Sequence, residues 1–497
     1  MKNIVFIILL TFMLNCGSQD KMNSAKEIVR KPTVAGAFYP GNPEKLKSVI
    51  DGYLSTGQAD VSDDDIIGLV APHAGYVYSG HVAGAAYSLL KGRKYDAVIV
   101  IAPSHVFGFS GSSVFNGDAY ETPLGIVQVD KALAESIASG GRDLKYAVNG
   151  HEWDSSRGEH SLEVQLPFLQ TVLPGVPIVP IVMGTQNNDA CDRLVRSIVR
   201  AVSESKKKVL LVASSDLSHF HDQKEANSLD SLIVDAFGEF QYFQMANQLF
   251  SRQWEACGGG PIVAVMMASE LLGANRCVPV KYATSADSPE MPAGKDRVVG
   301  YMSGVVTKSK EGTKLLPDLT DEDKTAILNA AKAGVYNAVF GSDDKTLAGF
   351  DIPKLNKCYA TFVTITKKGN LRGCMGHLYS DLPLLREIKE TSRLASQNDY
   401  RFGPVKKDEM GDLEYEVTIL SRMIRITDYN NIEIGRDGLY IRLGGSSGLL
   451  LPQVASERNW DRETFLRNVC QKAGLGKEDY KNPDAQLYAF RAIIIHE

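Results

Sequence analysis

Two apolar runs constrain this chain more than anything else in it. IIGLVAP (66–72) and AVIVIAPS (97–104) each break on a small-residue turn that carries one histidine, His73 and His105. A continuous apolar run of this length, bounded by Pro and Gly, reads as a strand buried on both faces. Such strands build parallel α/β sheets, whose functional groups collect beyond the carboxyl ends of the strands. Two imidazoles delivered there from neighbouring strands are the start of a metal site. The plainer alternative is a pair of hydrogen-bonded loop histidines.

The theme recurs. VLLVASSDLSHFHD (209–222) is an apolar strand, a small-residue turn, then Asp216 and His219. VPIVPIVMG (176–184) is another buried strand, and helical periodicity marks 43–53, 80–90, 129–139 and 189–203. The stretch 108–125 is Gly/Ser-rich, and ETPLG (121–125) looks like a turn. A helix is expected from Ser161, with Glu159 and His160 at its start and Glu163 one turn in. WEACGGGP (254–261) opens a further helix, so Cys257 sits just ahead of an N-terminus that favours a thiolate. Strand and helix alternate over 31–307, which makes one α/β domain with a largely parallel sheet. Two imidazoles and a thiolate (His73, His105, Cys257) leave open positions on a metal. The soft thiolate suits iron, copper or zinc and disfavours magnesium or calcium. A lone cysteine such as Cys257 is more often a buried apolar residue.

Polar, Pro-containing 308–319 is a linker, and Thr320-x-x-Asp323 caps a helix over 321–340. After it come a hairpin over 358–376, a helix near 382–396, a strand at 414–420, a hairpin over 439–453, a helix from Trp460 to Ala473 and a final strand. This less regular order makes 320–497 an α+β domain. Lys368-Gly369 closes the first hairpin, which sets Cys374 opposite about Val363 and Cys358 opposite about Ser380, too far apart to bridge. Arg372, Cys374 and His377 form a second candidate site, because an arginine lowers a thiol's pKa. The competing reading is a packed strand whose Gly373 and Gly376 permit close backbone approach. Cys470 falls on an apolar helix face and reads as core.

The N-terminus is a separate matter. Lys2, the apolar run Ile4–Leu14 and polar residues from Asn15 form a secretory signal too short to span a bilayer. Met13–Cys16 followed by Gly17 resembles a bacterial lipobox, in which Cys16 is lipidated and becomes the mature N-terminus. A plain signal peptide and an uncleaved anchor are the alternatives. All three place the folded part outside the cytoplasm. The expected product is a membrane-anchored lipoprotein of the cell envelope, with signal 1–16 and polar tether 17–30. The other six cysteines show no CxxC spacing and are too few for a disulfide scaffold. A formal net charge of -5 argues against a nucleic-acid partner.

PHAGYVYSG, IAPSH, GEHSLE, SSDLSHF and CGGGPI, in that order over about 30–307, closely resemble the Memo family, component B of the AmmeMemoRadiSam system. The resemblance implies a fold like class III extradiol dioxygenases. It makes His73 and His105 the imidazole ligands of iron or copper, and puts Cys257 where the dioxygenases keep a carboxylate. His219 takes the place of their acid/base histidine, Asp216 lies near it to orient it, and His160 lines the pocket. Cysteine for carboxylate argues against ring cleavage and towards copper or a more covalent iron site. TFVTITKKGNLRGCMGHL (361–378), EYEVTILS (414–421) and GLYIRLGGSSGLLLPQVA (438–455) resemble the AMMECR domain, component A of the same system, over about 320–497. A radical SAM protein is the partner the resemblance implies; such a protein is ordinarily cytoplasmic, which stands against export. The leading expectation is redox or oxygen-linked chemistry on an unidentified small molecule or peptide. A peptide- or ligand-binding module without turnover and a zinc-dependent hydrolase are the rivals.

Overall fold

The computed structural model describes residues 27–55, 59–153, 158–341 and 352–497. The signal sequence, Cys16 and residues 17–26 of the expected tether lie outside the described residues. The N-terminal half opens with β1 (Val29–Arg30), α1 (Pro43–Tyr53), β2 (Asp65–Ala71), α2 (Tyr76–Tyr87) and β3 (Ala97–Pro103). Next come β4 (Ser112–Phe115), β5 (Ala119–Thr122), β6 (Gly125–Gln128), α3 (Lys131–Ala138) and β7 (Leu144–Ala147). They are followed by α4 (Leu166–Val172), β8 (Ile178–Met183), α5 (Asn188–Ser205), β9 (Val209–Ser214) and β10 (His219–His221). α6 (Gln223–Gly238), α7 (Tyr242–Phe250), α8 (Gly259–Leu271), β11 (Arg276–Thr284) and β12 (Val298–Lys308) complete the half.

Nine of these strands form one sheet in the order β10-β12-β2-β9-β3-β8-β4-β7, with β11 on β12. Its centre, β2-β9-β3-β8, is parallel, and every residue of β3, β8 and β9 is buried, so both faces are covered. The flanks depart from the largely parallel sheet expected: β12 runs antiparallel to β2, β10 and β11, and β4 antiparallel to β8. β11 is half-exposed along most of its length, which an antiparallel outer strand tolerates. The domain is therefore mixed α/β. α8 packs on β2 so closely that a Cβ at Gly68 would lie 2.6 Å from Ser269 Oγ.

Within 108–125 the expected ETPLG turn joins β5 to β6, which form a small second sheet with β1, and β4 joins the main sheet. Strands of four residues in a Gly/Ser-rich stretch are too short to display a period. The expected polar tether already becomes a strand at Val29, where Arg30 is fully buried. The helix expected from Ser161 starts as a 3-10 turn, Glu163–Gln165, before α4.

The C-terminal half contains α9 (Asp321–Phe340), β13 (Ala360–Lys367), β14 (Asn370–Gly376), α10 (Leu384–Gln397), β15 (Leu413–Leu420) and β16 (Ile424–Ile426). β17 (Gly438–Leu443), β18 (Ser446–Leu450), α11 (Pro452–Glu457), α12 (Arg462–Lys472), β19 (Gln486–Phe490) and β20 (Ala492–His496) follow. Thr320 and Asp323 close the expected capping box on α9. Two four-stranded sheets, β14-β13-β15-β20 and β16-β19-β17-β18, make an α+β domain. The final strand is not continuous: it breaks at Arg491, with β19 in one sheet and β20 in the other. Lys368 (φ 53°) and Gly369 (φ 77°) form the hairpin turn. An irregularity between Ile365 and Thr366 shifts the ladder, so Cys374 faces Thr364 rather than Val363. Cys358 pairs with Pro383 rather than Ser380. All described cysteines are unbridged, and Cys470 is buried on α12 as expected.

The two halves share a core. Phe243 of α7 meets the rings of Tyr488 and Tyr440 at 5.0 and 5.5 Å. Arg425 of β16 reaches Asp192 of α5 at 2.7 Å, both side chains buried, and Arg422 pairs with Glu270 of α8 at 2.5 Å. Among the described residues no helix is long and apolar enough to cross a membrane.

Candidate metal centre

β2 ends at Ala71, and Pro72 then delivers His73; β3 ends at Pro103 and delivers His105. The two strands are not adjacent, because β9 lies between them and contributes Ser214 to the gap. The N-terminus of α8 brings Cys257 to the same end of the sheet. One ligand atom from each of His73, His105 and Cys257 falls within 4.8 Å of the others. His73 Nε2 is 3.2 Å from Cys257 Sγ, and the two imidazoles meet edge-on with centroids 5.1 Å apart.

The hydrogen bonds behind each ring fix its tautomer. Ser214 Oγ donates its one proton to Ser161 O (2.6 Å) and accepts from Gln165 Nε2 (2.8 Å). His73 Nδ1, at 2.9 Å from the same oxygen, must therefore be the protonated nitrogen. His105 Nδ1 lies 3.2 Å from the Glu159 carboxylate, an acceptor only, so it donates as well. Both rings are left with a bare Nε2, the form a metal takes. Burial holds His73 well below the usual histidine range, with His105 and His160 adding to the effect.

Cys257 is held through its backbone: Gln186 Nε2 donates to its carbonyl (2.9 Å) and accepts in turn from Gly260 N through Oε1 (2.7 Å). A Cβ at Gly258 would lie 2.2 Å from Ser214 O, so the thiol's approach to β9 requires glycine there. Asp216 N lies 3.3 Å from the sulfur as a donor. The thiolate expected from the helix terminus is not favoured by the protein alone. Burial pushes the thiol's pKa up and the Asp216 carboxylate adds to it, so a cation is what would draw the proton off.

The Memo-like protein family matches residues 30–305, and the AMMECR1 family matches residues 328–495. The chain belongs to the Memo family. Its second half is an AMMECR1 domain. A MEMO1 family protein of Methanococcoides burtonii is 36% identical over 280 residues, covering 56% of this chain and 100% of the relative. One from Archaeoglobus fulgidus is 35% identical over 278 residues, covering 56% and 99%. An uncharacterized Pyrococcus horikoshii protein of known crystal structure shares 33% identity over 35% of this chain and 92% of its own, with a TM-score of 0.33.

In the Memo domain a second group, His105, Glu159 and His160, also offers ligand atoms within 4.8 Å of one another. The rings of His105 and His160 stack at 4.9 Å, and Phe38 covers His160 at 4.8 Å. Burial, and then His105, pushes His160 down to about 4. Burial raises Glu159, but hydrogen bonds from His105 and Ser161 override it and hold the carboxyl well below its usual range. Sequence reasoning gave Glu159 no role and did not name Ser214, Gln165 or Gln186. Glu159 and Ser214 stand inside GEHSLE and SSDLSH, so those motifs were the available signal. Arg30 was also missed. Its Nη2 donates to Glu159 O, its Nε to His151 O (3.1 Å) and its Nη1 to Glu163 Oε2 (2.6 Å).

Asp216 does not orient His219 as expected. Its Oδ1 accepts from the backbone of His73 (2.8 Å) and Ala74 (3.3 Å), whereas His219 Nδ1 lies 2.7 Å from Leu217 O. Burial pushes the Asp216 carboxyl up to about 6 against those donors. In the AMMECR domain the second candidate site does not assemble. Arg372 pairs with Glu409 (2.9 Å), His377 with Glu387 (2.7 Å), and Cys374 accepts from Thr364 Oγ1 (3.4 Å). Each cation found its own carboxylate, which a strand sequence does not display.

Proposed function

We propose that the Memo domain is a metal-dependent oxidoreductase, holding one iron or copper ion, with zinc the other choice, on His73, His105 and Cys257. Its arrangement would be like that of class III extradiol dioxygenases, and its substrate a small molecule or peptide. The observation that carries this reading is the convergence of two Nε2 lone pairs and one thiol, with each imidazole's other nitrogen already committed to a partner. That donor set fits a borderline or soft transition metal. Such an ion supplies Lewis acidity and, as iron or copper, electron transfer. Ser214 and Glu159 orient the ligands. His219, with Nδ1–H committed to Leu217 O, presents Nε2 to take up or return a proton. Asp216 fixes the backbone of the His73 turn.

Metal content after anaerobic purification tests the reading. About one equivalent of iron or copper, absent from Cys257→Ser and His105→Ala, supports it, and oxygen or peroxide consumption lost in His219→Ala supports turnover. Stoichiometric zinc moves the hydrolase ahead; no metal after reconstitution sinks the ligand assignment and leaves the peptide- or ligand-binding module. We also propose export as a lipoprotein anchored through Cys16, tested by fatty-acid labelling that Cys16→Ser abolishes. A radical SAM partner is part of the same proposal, and fractionation into a different compartment would sink it.

A further inference from the structure

The turns of His73 and His105 are held from within the Memo domain, by Asp216, Ser214 and Glu159. Cys257 is held differently. It has two supports, and the AMMECR domain touches both. One is the arm that leads out of α7. In that helix's last turn Gln248 O accepts from Gln253 N (2.9 Å) and Trp254 N (3.2 Å), just ahead of the thiol. The Gln248 side chain donates across the seam to Asp381 (2.7 Å), and Gln244, one turn earlier, donates to Asp381 (2.6 Å) and Ser380 O (3.2 Å). The other support is Gln186, which holds Cys257 O and Gly260 N immediately before α5. A Cβ at Gly260 would lie 3.0 Å from Gln186 Cγ, so the two helix starts meet without slack. The first turns of α5 are in turn held by Gln486 of β19, whose Nε2 donates to Asp189 (2.9 Å), and by Arg425 on Asp192 (2.7 Å).

We propose that the AMMECR domain sets the position of the Cys257 thiol, and that Asp381 and Gln486 are positioning residues for it. Asp381 acts through Gln248 and the arm, Gln486 through Asp189 and Gln186. The inference rests on Cys257 being a metal ligand, as proposed above. A metal–thiolate bond is about 2.3 Å long, and a site of this kind tolerates only about 0.5 Å of misplacement. A small shift of the arm is therefore felt in that bond while the helices around it stay folded. Rigid helices and backbone hydrogen bonds, which make up both routes, are the elements able to carry such a shift. An AMMECR domain that moves on its seam thus changes the metal's softest ligand without touching either imidazole.

Cobalt(II) is the probe, because its bond to a thiolate gives a charge-transfer band that reports this ligand directly. The unaltered chain should bind one equivalent with the band, and Cys257→Ser should lack the band. Asp189→Ala/Asp381→Ala removes the acceptors of Gln486 and Gln248. Both aspartates are exposed, so the fold is kept, and a melting curve verifies that. Cobalt affinity of this variant, read by chelator competition, should fall by about three- to thirtyfold, and the band per bound cobalt should weaken. Asp189→Asn/Asp381→Asn keeps an oxygen acceptor at each place and should recover both. Affinity and band unchanged in the alanine variant overturn the inference. So does a fall in affinity with the band intact, which would mean general loosening rather than a displaced thiol. Absence of the band from the unaltered chain is a separate result: it overturns the ligand assignment itself, and the inference with it.

Discussion

Ser214 Oγ and His73 Nδ1 lie 2.9 Å apart, and the serine's only proton is already committed to Ser161 O. The serine thus selects the tautomer that leaves Nε2 free. Replacing it with alanine keeps the strand but lets the ring take either form. Ser214→Ala should weaken metal binding by about 10- to 100-fold, the usual cost of losing a ligand's outer partner. Chelator competition measures this, and an unchanged affinity would sink the tautomer argument.

Arg30 sits one layer further out. Glu163 takes its Nη1, the backbone N–H groups of Thr33 (2.9 Å) and Val34 (3.0 Å) and the Tyr39 hydroxyl (2.6 Å), so this pair anchors the segment that carries Phe38 to His160. Truncation to start at Lys31 leaves Glu163 buried without its cation. A loss of about 3–5 kcal/mol is expected. Arg30→Met combined with Glu163→Gln should recover part of it relative to Arg30→Met alone. Urea unfolding of the three proteins reads the difference, and an undiminished midpoint on truncation would show that the pair contributes nothing.

Acid sensitivity follows from a histidine far from any proposed chemistry. His151 Nε2 donates to Ser113 O, and Nδ1 accepts from the Tyr120 hydroxyl at 2.6 Å, an arrangement only the neutral ring makes. Burial, with Arg30 adding, pushes its pKa down to about 3. His81, buried on α2, is likewise pushed down to about 4. In the unfolded chain both protonate as pH falls through about 6.5. The unfolded state therefore binds more protons across this window. Stability is full above pH 6.5 and declines towards pH 3–4, by roughly 3–5 kcal/mol for each group. Urea midpoints between pH 7.5 and 4 should fall steadily, and His151→Gln should flatten part of the slope.

The triad was legible because strand ends and a helix start are written locally. IIGLVAP, AVIVIAPS and CGGGP each announce a place where a side chain must emerge at one end of a sheet. What was hidden is what crosses the sequence. Ser214 stands between His73 and His105 only because β9 intervenes in the sheet order, and no local pattern gives that order. The charged residues of LRGCMGH misled for the same reason. Glu409 and Glu387, which claim Arg372 and His377, lie 37 and 10 residues away in sequence. The break at Arg491 escaped because apolar residues on both sides continue one strand-like run.

The docking of the two domains makes the last prediction. Arg425 Nε meets Asp192 at 2.7 Å, and its Nη1 donates to Leu487 O at 3.0 Å, which leaves the buried guanidinium satisfied. Asp192 also holds Arg196 at 2.9 Å on α5. Arg425→Ala removes one buried charge and strands part of another, an expected loss of about 3–5 kcal/mol. The Asp192 contact crosses the seam and those to Leu487 and Ala485 do not, so the penalty is shared between docking and the AMMECR domain. Calorimetry should therefore resolve two transitions in the variant where the unaltered chain shows one. Arg425→Met with Asp192→Asn replaces the pair by neutral groups and should move the transitions back together. A single undisturbed transition in Arg425→Ala would mean that the aromatic contacts of Phe243 with Tyr440 and Tyr488 hold the seam alone.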